Sequence, residues 1–331
     1  MKRLFSVILC VFCVDVSFAQ KDMNVLFVGN SLTYCDARDN SEFPYYNNMT
    51  DMLQKMIDEK KLKIHVAKVT HAHTTLTAHA TFVGTDHEVS DEPFRRAGQG
   101  VVPSTVKRIQ SKQWDVVALQ ERADVSVLIA AQRAYSIEPS LKYLDGEVKK
   151  AHGKVVLYQG YAEQHPVDTE LSLTGQHPAG TNCVVLDAFS FGMKPIDFFN
   201  PADEAVFSGK DTTICADPLP AGVTELQAIS QEFNKLAAGV GGDFVEIGAA
   251  FEKCRKDYPA IKLYFDESAD HPSKQGAYLI ACMFFRYLSG QPVSSIKYRA
   301  DISEAEAANL RKVADAMRST SYSKTGKTTA K

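Results

Sequence analysis

The sequence predicts an α/β protein in which helices cover both faces of a central parallel sheet. Short apolar runs bounded by glycine or polar residues alternate along the chain with segments that carry apolar residues at helical spacing. Such alternation is typical of a parallel sheet with helices on both faces. The chain has 331 residues, of which 45% are hydrophobic, so it is long enough to form one large domain with a sizeable core.

The first half of the chain contains three predicted strands. Residues 24–28 form a short apolar run that ends at Gly29, as buried strands often do. Residues 62–69 begin with apolar residues at alternate positions, and residues 114–119 form a second largely apolar run. Apolar residues at helical spacing predict the intervening helices, over residues 45–59 and, more weakly, 102–111.

The second half continues the alternation, with one interruption. A helix over residues 131–151, broken near Pro139, precedes a strand over residues 154–158. Beyond the interruption, the pattern predicts a strand over residues 244–247 and helices over residues 224–238, 273–288 and 303–318, the last opened by a Ser-x-x-Glu capping box. This order predicts a flavodoxin-like, three-layer α/β/α domain, whose site would lie beyond the carboxyl ends of the strands.

Residues 161–222 are the interruption. They are rich in proline, glycine, aspartate and phenylalanine and show no clear period. Long irregular segments inside a compact domain are often functional, so we interpret this stretch as an insertion near the site; a surface excursion without function is the alternative. Cys183 and Cys215 bracket part of the insertion and are the best candidates for a disulfide in an oxidising compartment.

Both ends of the chain are predicted to lie outside the folded domain. Two basic residues precede an apolar run that leads to a small-x-small site ending at Ala19, so residues 1–19 are interpreted as a secretory signal peptide and the protein as secreted or periplasmic. The folded domain would then cover residues 20–318, and a Ser/Thr/Lys-rich tail over residues 319–331 is predicted to be disordered. No later segment has the roughly 20 apolar residues that a membrane span requires.

Ser31 and His271 are the candidate nucleophile and general base. Ser31 lies in the run Gly-Asn-Ser-Leu-Thr directly after the first predicted strand, where a hydroxyl can reach the carboxyl edge of the sheet and the next helix N-terminus favours a developing oxyanion. His271 lies on a loop just before the predicted helix over residues 273–288. A serine hydroxyl becomes nucleophilic when a base such as histidine is adjacent. Taken singly, a serine before a helix is usually an N-cap, and a His-Pro pair usually a surface loop.

The segments around Ser31 and His271, with two others between them, resemble in their order the conserved blocks of the SGNH hydrolase superfamily, the GDSL-type esterases. Residues 28–33 resemble the block that carries the family's serine, and residues 271–279, with His-Pro-Ser followed by Gly-x-Tyr-Leu, resemble the block that carries its histidine. The run that ends in Leu119-Gln120-Glu121 is similar to the third block of a bacterial secreted subgroup, and Leu-x-x-His at residues 76–79 is similar to its second block. The resemblance covers roughly residues 24–318, apart from the insertion, and implies the SGNH hydrolase fold and a serine esterase.

The resemblance also implies the rest of the site. The oxyanion hole would comprise the backbone N–H of Ser31, a backbone N–H near Thr74 and the side-chain amide of Gln120. The family's second block usually supplies a glycine, which residues 72–75 lack. The family's acid stands three residues before the histidine, where this chain has Ser268. The nearby carboxylates are Asp266, Glu267 and Asp270. Asp270 is adjacent to the base and hard to turn back onto its imidazole, and Asp266 is the expected partner of His271. The alternative for Gln120 is a buried polar group that closes a strand end.

The resemblance favours hydrolysis of small acyl esters, acetyl esters of carbohydrates especially, with a small molecule or polysaccharide as substrate and no cofactor. A non-catalytic glycan-binding protein on a degenerate esterase fold and an esterase for lipids or thioesters are the alternatives. Four histidines between residues 71 and 87 lack the usual ligand spacing of a metal site, so no metal is expected, and His79 is interpreted as structural or as lining the substrate pocket. A net charge of −3 does not point to a nucleic-acid partner, and the oligomeric state stays open.

Overall fold

The computed structural model describes two separate sheets and the helices around the larger one. The described residues are 22–33, 48–70, 75–77, 79–80, 105–121, 133–160, 183–186, 212–215, 221–265, 271–318 and 322. The predicted signal peptide, most of the insertion and nearly all of the tail lie outside them. Among the described residues, the helices are all too short or too polar to cross a membrane.

The larger sheet has five parallel strands. They are β1 (Met23–Gly29), β2 (Ile64–Thr70), β3 (Val116–Gln120), β4 (Lys154–Tyr158) and β7 (Asp243–Val245), hydrogen-bonded in the order β2-β1-β3-β4-β7. Taken in chain order, this is the 2-1-3-4-5 arrangement of the flavodoxin-like fold. The predicted fold class and all five predicted strands are therefore confirmed.

Helices pack on both faces of this sheet. One face carries α1 (Met49–Glu59), α5 (Ile247–Asp257), α6 (Lys274–Ser289) and α7 (Glu304–Ala316). The other carries α2 (Thr105–Gln110), α3 (Glu138–Lys150) and α4 (Glu225–Val240). A π-helical turn over Arg133–Ile137 leads into α3 and ends just before Pro139, close to the predicted break.

The apolar runs of the strands explain this three-layer arrangement. Successive side chains of a strand point to opposite faces. In β1, Val25 and Phe27 are buried against the layer that contains α6, whereas Leu26 and Val28 are buried against the layer that contains α3. Because both faces of the central strands are covered, their sequences are apolar throughout rather than alternating.

Helix α6 is the central helix of its layer. Twelve of its residues are buried, and the ring of Phe284 makes edge contacts with the rings of Phe27 and Tyr158 at centroid distances of 4.8 and 5.5 Å. These contacts connect α6 to β1 and β4. The start of α6 is thereby fixed relative to the carboxyl end of β1.

Tyr322, in the C-terminal segment, contacts the domain. The backbone N–H of Tyr322 donates to the carbonyl of Tyr287 at 2.8 Å, and its hydroxyl donates to the carbonyl of Asp115 at 3.3 Å. Tyr322 belongs to the stretch for which the sequence predicted no order, and the other residues of that stretch lie outside the described part of the chain.

The smaller sheet is a pair of antiparallel strands within the insertion, β5 (Cys183–Leu186) and β6 (Thr212–Cys215). The sequence did not predict these two four-residue strands, because residues 161–222 show no clear periodicity. Their register places Cys183 directly opposite Cys215. Directly opposed residues of an antiparallel pair lie within the separation that a disulfide spans.

We expect Cys183 and Cys215 to form a disulfide in protein recovered from an oxidising compartment. The cross-link would stabilise the folded chain by about 3–4 kcal/mol on the loop-entropy model. Peptide mapping without reduction tests the bond. Cys254 and Cys282, which are buried and free, are the internal control and should become alkylated only after denaturation. Recovery of Cys183 and Cys215 as alkylated thiols before reduction would contradict the prediction.

Candidate active site

Ser31 lies in a tight turn immediately after β1. The carbonyl of Asn30 accepts a hydrogen bond from the N–H of Thr33 at 3.0 Å, and the Asn30 side-chain oxygen accepts one from the N–H of Leu32 at 3.0 Å. Asn30 and Thr33 are buried, whereas Ser31 between them is half-buried. The turn therefore presents the Ser31 side chain at the carboxyl edge of the sheet, as the sequence predicted.

His271 contacts Ser31 directly. Its Nε2 atom lies 2.9 Å from Ser31 Oγ, although the two residues are 240 positions apart in the chain. This distance is within the range for a hydrogen bond between a nucleophile and its general base. The structure thus brings together the two residues that the sequence singled out from opposite ends of the domain.

A short antiparallel pairing holds His271 in place. The N–H of Phe265 donates to the carbonyl of His271 at 3.0 Å, and the N–H of Ser273 donates to the carbonyl of Leu263 at 2.8 Å. Ser273 is also the N-cap of α6, where its hydroxyl accepts from the N–H of Gly276 at 3.1 Å. The backbone of His271 is therefore fixed both by its pairing partner and by the start of a buried helix.

Gly276 is required because the paired segment crosses close to the first turn of α6. A Cβ atom at this position would lie 2.2 Å from the backbone oxygen of Leu263 and 3.1 Å from Cβ of Pro272. A separation this short forces the segment around residues 263–265 to move. The glycine in the block after the histidine therefore has a packing role.

We expect Gly276→Ala to lower both stability and activity. Overpacking of this kind typically costs about 1–3 kcal/mol, and a small displacement of His271 from Ser31 lowers turnover on the order of 10- to 100-fold. Thermal unfolding and steady-state kinetics measure the two effects. The matched control is Gly239→Ala in α4, where an added Cβ would meet nothing within 4 Å. Full activity in Gly276→Ala would contradict this role of Gly276 in holding His271.

Asp266, the expected acid, lies outside the described residues. It directly follows Phe265, whose backbone N–H donates to the carbonyl of His271. Residues 266–270 therefore connect two residues that are hydrogen-bonded to each other. The assignment of Asp266 as the partner of His271 stays a prediction.

Of the three predicted oxyanion donors, Ser31 and Gln120 are among the described residues and Thr74 is not. Within the described part of the chain, the backbone N–H of Ser31 has no hydrogen-bond acceptor. The third predicted donor, Gln120, has its amide nitrogen directed at the carbonyl of Glu121. The roles of Thr74 and Gln120 in an oxyanion hole stay predictions.

The side-chain oxygen of Gln120 holds the turn that carries the serine. Gln120 Oε1 accepts from the N–H of Asn30 at 2.9 Å and from the hydroxyl of Thr33 at 3.1 Å. A backbone N–H can only donate, so these partners fix which end of the amide is the oxygen. A Cβ on Gly29 would lie 2.5 Å from this oxygen, which explains the glycine at the end of β1.

Two buried groups near the turn were only partly anticipated. His79 is fully buried, so it is structural rather than pocket-lining. Tyr158 places its hydroxyl 3.4 Å from the carbonyl of Leu32, and burial raises the pKa of this phenol well above its ordinary value, which keeps it a neutral donor. Among the described residues, no cluster of histidine, cysteine or carboxylate side chains could hold a metal ion.

Comparison with solved structures shows the fold of the chain. A DUF4886 family protein from Bacteroides uniformis is similar over 89% of this chain and 94% of its own, with a TM-score of 0.57 and 14% identity. A candidate SGNH hydrolase from Slackia heliotrinireducens (TM-score 0.44, 18% identity, 80% of this chain and 98% of that chain) and an acetyl xylan esterase from Geobacillus stearothermophilus (TM-score 0.41, 14% identity, 80% and 93%) are more distant. No family model matches the chain, and no curated protein matches it significantly.

The first of these likenesses shows that the fold is shared with a solved protein over most of both chains. The two more distant likenesses have TM-scores below 0.5. At their TM-scores they carry no argument about activity, which therefore depends on the site itself.

Proposed function

We propose that this protein is a serine esterase that removes small acyl groups, acetyl groups in particular, from carbohydrates. The observation that supports this most strongly is the 2.9 Å contact between Ser31 Oγ and His271 Nε2 at the carboxyl edge of the sheet. A serine hydroxyl that is hydrogen-bonded to an imidazole, beside a backbone N–H that can bind the oxyanion, is an arrangement that supports acyl transfer.

The proposed reaction has two stages. In the first, His271 accepts the proton of the Ser31 hydroxyl while Ser31 Oγ attacks the ester carbonyl. The carbonyl oxygen gains negative charge and receives a hydrogen bond from the Ser31 N–H, together with the predicted donors near Thr74 and on Gln120. The C–O bond to the alcohol breaks, and His271 returns the proton to the departing alcohol oxygen.

In the second stage water replaces the alcohol. His271 accepts a proton from the water as its oxygen attacks the acyl carbon, and the proton then returns to Ser31 Oγ as the carboxylic acid leaves. Asp266 is proposed to orient His271 through its other ring nitrogen and to stabilise the imidazolium. No step requires a cofactor.

The proposed substrate class depends on the sequence resemblance and on the insertion. β4 ends at the edge of the sheet where Ser31 lies, and residues 161–222 follow it in the chain. Their phenylalanines and polar residues would suit a sugar as the alcohol part of the ester. The secreted location that residues 1–19 predict would give the enzyme access to acetylated polysaccharides.

We expect the specificity constant to fall steeply from acetyl to butyryl to octanoyl p-nitrophenyl esters. A long apolar acyl pocket would gain about 0.8 kcal/mol per buried methylene group, whereas a short pocket gains nothing and clashes with longer chains. Values of kcat/KM across the series measure this. Values that rise with chain length would favour a lipase instead, and no turnover of any ester would favour a binding protein.

A further inference from the structure

The peptide group that joins Gly29 to Asn30 is held at both of its polar ends by buried side chains. His79 Nε2 lies 3.0 Å from the carbonyl oxygen of Gly29, and Gln120 Oε1 accepts from the N–H of Asn30 at 2.9 Å. Because a carbonyl oxygen can only accept, Nε2 is the protonated nitrogen of His79. His79 and Gln120 are at most 1% exposed, so water does not compete for either contact.

We propose that His79 and Gln120 form a peptide clamp that positions Ser31, and that both are positioning residues. The inference rests on the proposed esterase function. A peptide group is planar, so holding its oxygen and its N–H from opposite sides fixes its rotation about the chain. The clamp would thereby set the direction in which the chain enters the turn at Ser31.

The position of the clamp explains why side chains are needed there. The ladder between β1 and β3 ends at Val28 and Leu119, so on that side the N–H of Asn30 donates to a side chain rather than to the backbone of β3, whereas on the other side β1 pairs with β2 as far as Gly29 and Thr70. The next peptide group, between Asn30 and Ser31, carries the N–H that would face the oxyanion, and its carbonyl accepts from Thr33. Rotation of the clamped peptide would move both this N–H and the Ser31 hydroxyl away from their places.

The two arms of the clamp are themselves connected. His79 Nδ1 lies 2.6 Å from the hydroxyl of Thr105, which fixes the plane of the imidazole. The helical turn that carries His79 is attached to β3, because the N–H of Leu76 donates to the carboxylate of Glu121 at 3.0 Å. Consecutive residues at the end of β3, Gln120 and Glu121, thus hold the serine turn and the turn that carries His79.

Within the clamp, Gln120 acts chiefly through its oxygen, and this role is separate from the oxyanion donation predicted for its nitrogen, which carries two hydrogens. Its oxygen supports Asn30 and Thr33, and its nitrogen supports the carbonyl of Glu121. Such a group affects catalysis through the geometry of Ser31.

A matched pair of substitutions at His79 tests the clamp. The side-chain nitrogen of glutamine can take the place of Nε2, whereas that of asparagine corresponds to Nδ1 and cannot reach the carbonyl of Gly29. We expect His79→Asn to lower kcat by about 10- to 100-fold with little change in KM. We expect His79→Gln to keep most of the wild-type kcat. The rate at which a fluorophosphonate labels Ser31 should follow the same order.

Hydrogen exchange measures the clamp without reference to the reaction. Exchange of the hydrogen-bonded amides of Asn30, Leu32 and Thr33 should accelerate in His79→Asn and return towards the wild-type rate in His79→Gln. Ser140→Ala is the control for stability alone, because Ser140 donates to Thr77 in the turn that carries His79 but does not contact Gly29. We expect this variant to unfold at a lower temperature without a change in kcat.

The outcomes separate the clamp from the proposed function. Equal labelling rates and equal kcat in wild type and His79→Asn would overturn the clamp and leave the proposed esterase function intact. A kcat as low in His79→Gln as in His79→Asn would do the same. A wild-type chain that neither hydrolyses esters nor labels at Ser31 would overturn both. If His79→Asn does not fold, Thr105→Val is the alternative variant. It keeps the imidazole but removes the hydroxyl that contacts Nδ1. Wild-type kcat and wild-type amide exchange in Thr105→Val would overturn the clamp.

Discussion

Replacement of Ser31 by alanine is expected to lower kcat/KM for p-nitrophenyl acetate by more than about 10⁴-fold while the protein remains folded. Loss of the nucleophile of a serine hydrolase removes the acyl-enzyme route altogether, and the remaining rate comes from binding and the oxyanion site. Ser31 is half-buried and its hydroxyl contacts the half-buried ring of His271, so the substitution leaves no core group without its partner among the described residues.

Steady-state kinetics and a thermal unfolding curve check the Ser31→Ala prediction together. The control is Ser111→Ala, since Ser111 is an exposed serine whose hydroxyl donates to the carbonyl of Arg108, before the amino end of β3 and far from the carboxyl edge of the sheet. That variant should retain wild-type activity. Turnover in Ser31→Ala at more than a few per cent of the wild-type rate would place the nucleophile elsewhere.

Replacement of His271 by alanine is expected to have an effect of similar size, because the Ser31 hydroxyl would lose its base. Residues that act as one unit show strongly non-additive effects, so Ser31→Ala combined with His271→Ala should lose no more activity than either single variant. The four values of kcat/KM form a double-mutant cycle. A double variant whose loss equals the product of the two single losses would mean that the residues act independently.

The central sheet was predictable from the sequence because its strands are buried on both faces. Strands covered by helices on both sides are apolar along most of their length, as residues 24–28 and 114–119 are. The positions of Ser31 and His271 were also predictable, because residues at strand ends and helix starts gather at one edge of such a sheet. Ser31 lies two residues after the end of β1 and His271 lies three residues before the start of α6, so both are close to that edge.

The helix α5 was not predicted, although its apolar residues Ile247, Ala250, Phe251 and Cys254 have helical spacing. The strand β7 ends only two residues before this helix begins, so one apolar run serves both elements and the boundary is not visible in the pattern. The helix N-terminus is instead fixed by a tertiary contact, since the N–H of Gly248 donates to the side chain of Gln159 at 3.2 Å.

The roles of Gln120 and His79 depend on three-dimensional contacts that the sequence does not contain. A glutamine at a strand end can offer either its oxygen or its nitrogen to the site, and only the position of Asn30 decides which. A histidine within Leu-x-x-His can face solvent, substrate or backbone, and it is the carbonyl of Gly29 that His79 contacts. The close approach of Gly276 to Leu263 is likewise visible only once residues 263–265 pair with residues 271–273.

The most direct test of the catalytic pair is to identify the residue that a fluorophosphonate modifies. The wild-type chain is incubated with the probe, digested, and mapped by mass spectrometry, with Ser31→Ala and heat-denatured wild type treated in parallel. We predict a single adduct on Ser31 in the folded wild type and none in either control. An adduct on another residue, or labelling that persists in Ser31→Ala, would contradict the assignment of Ser31 and His271 as nucleophile and base.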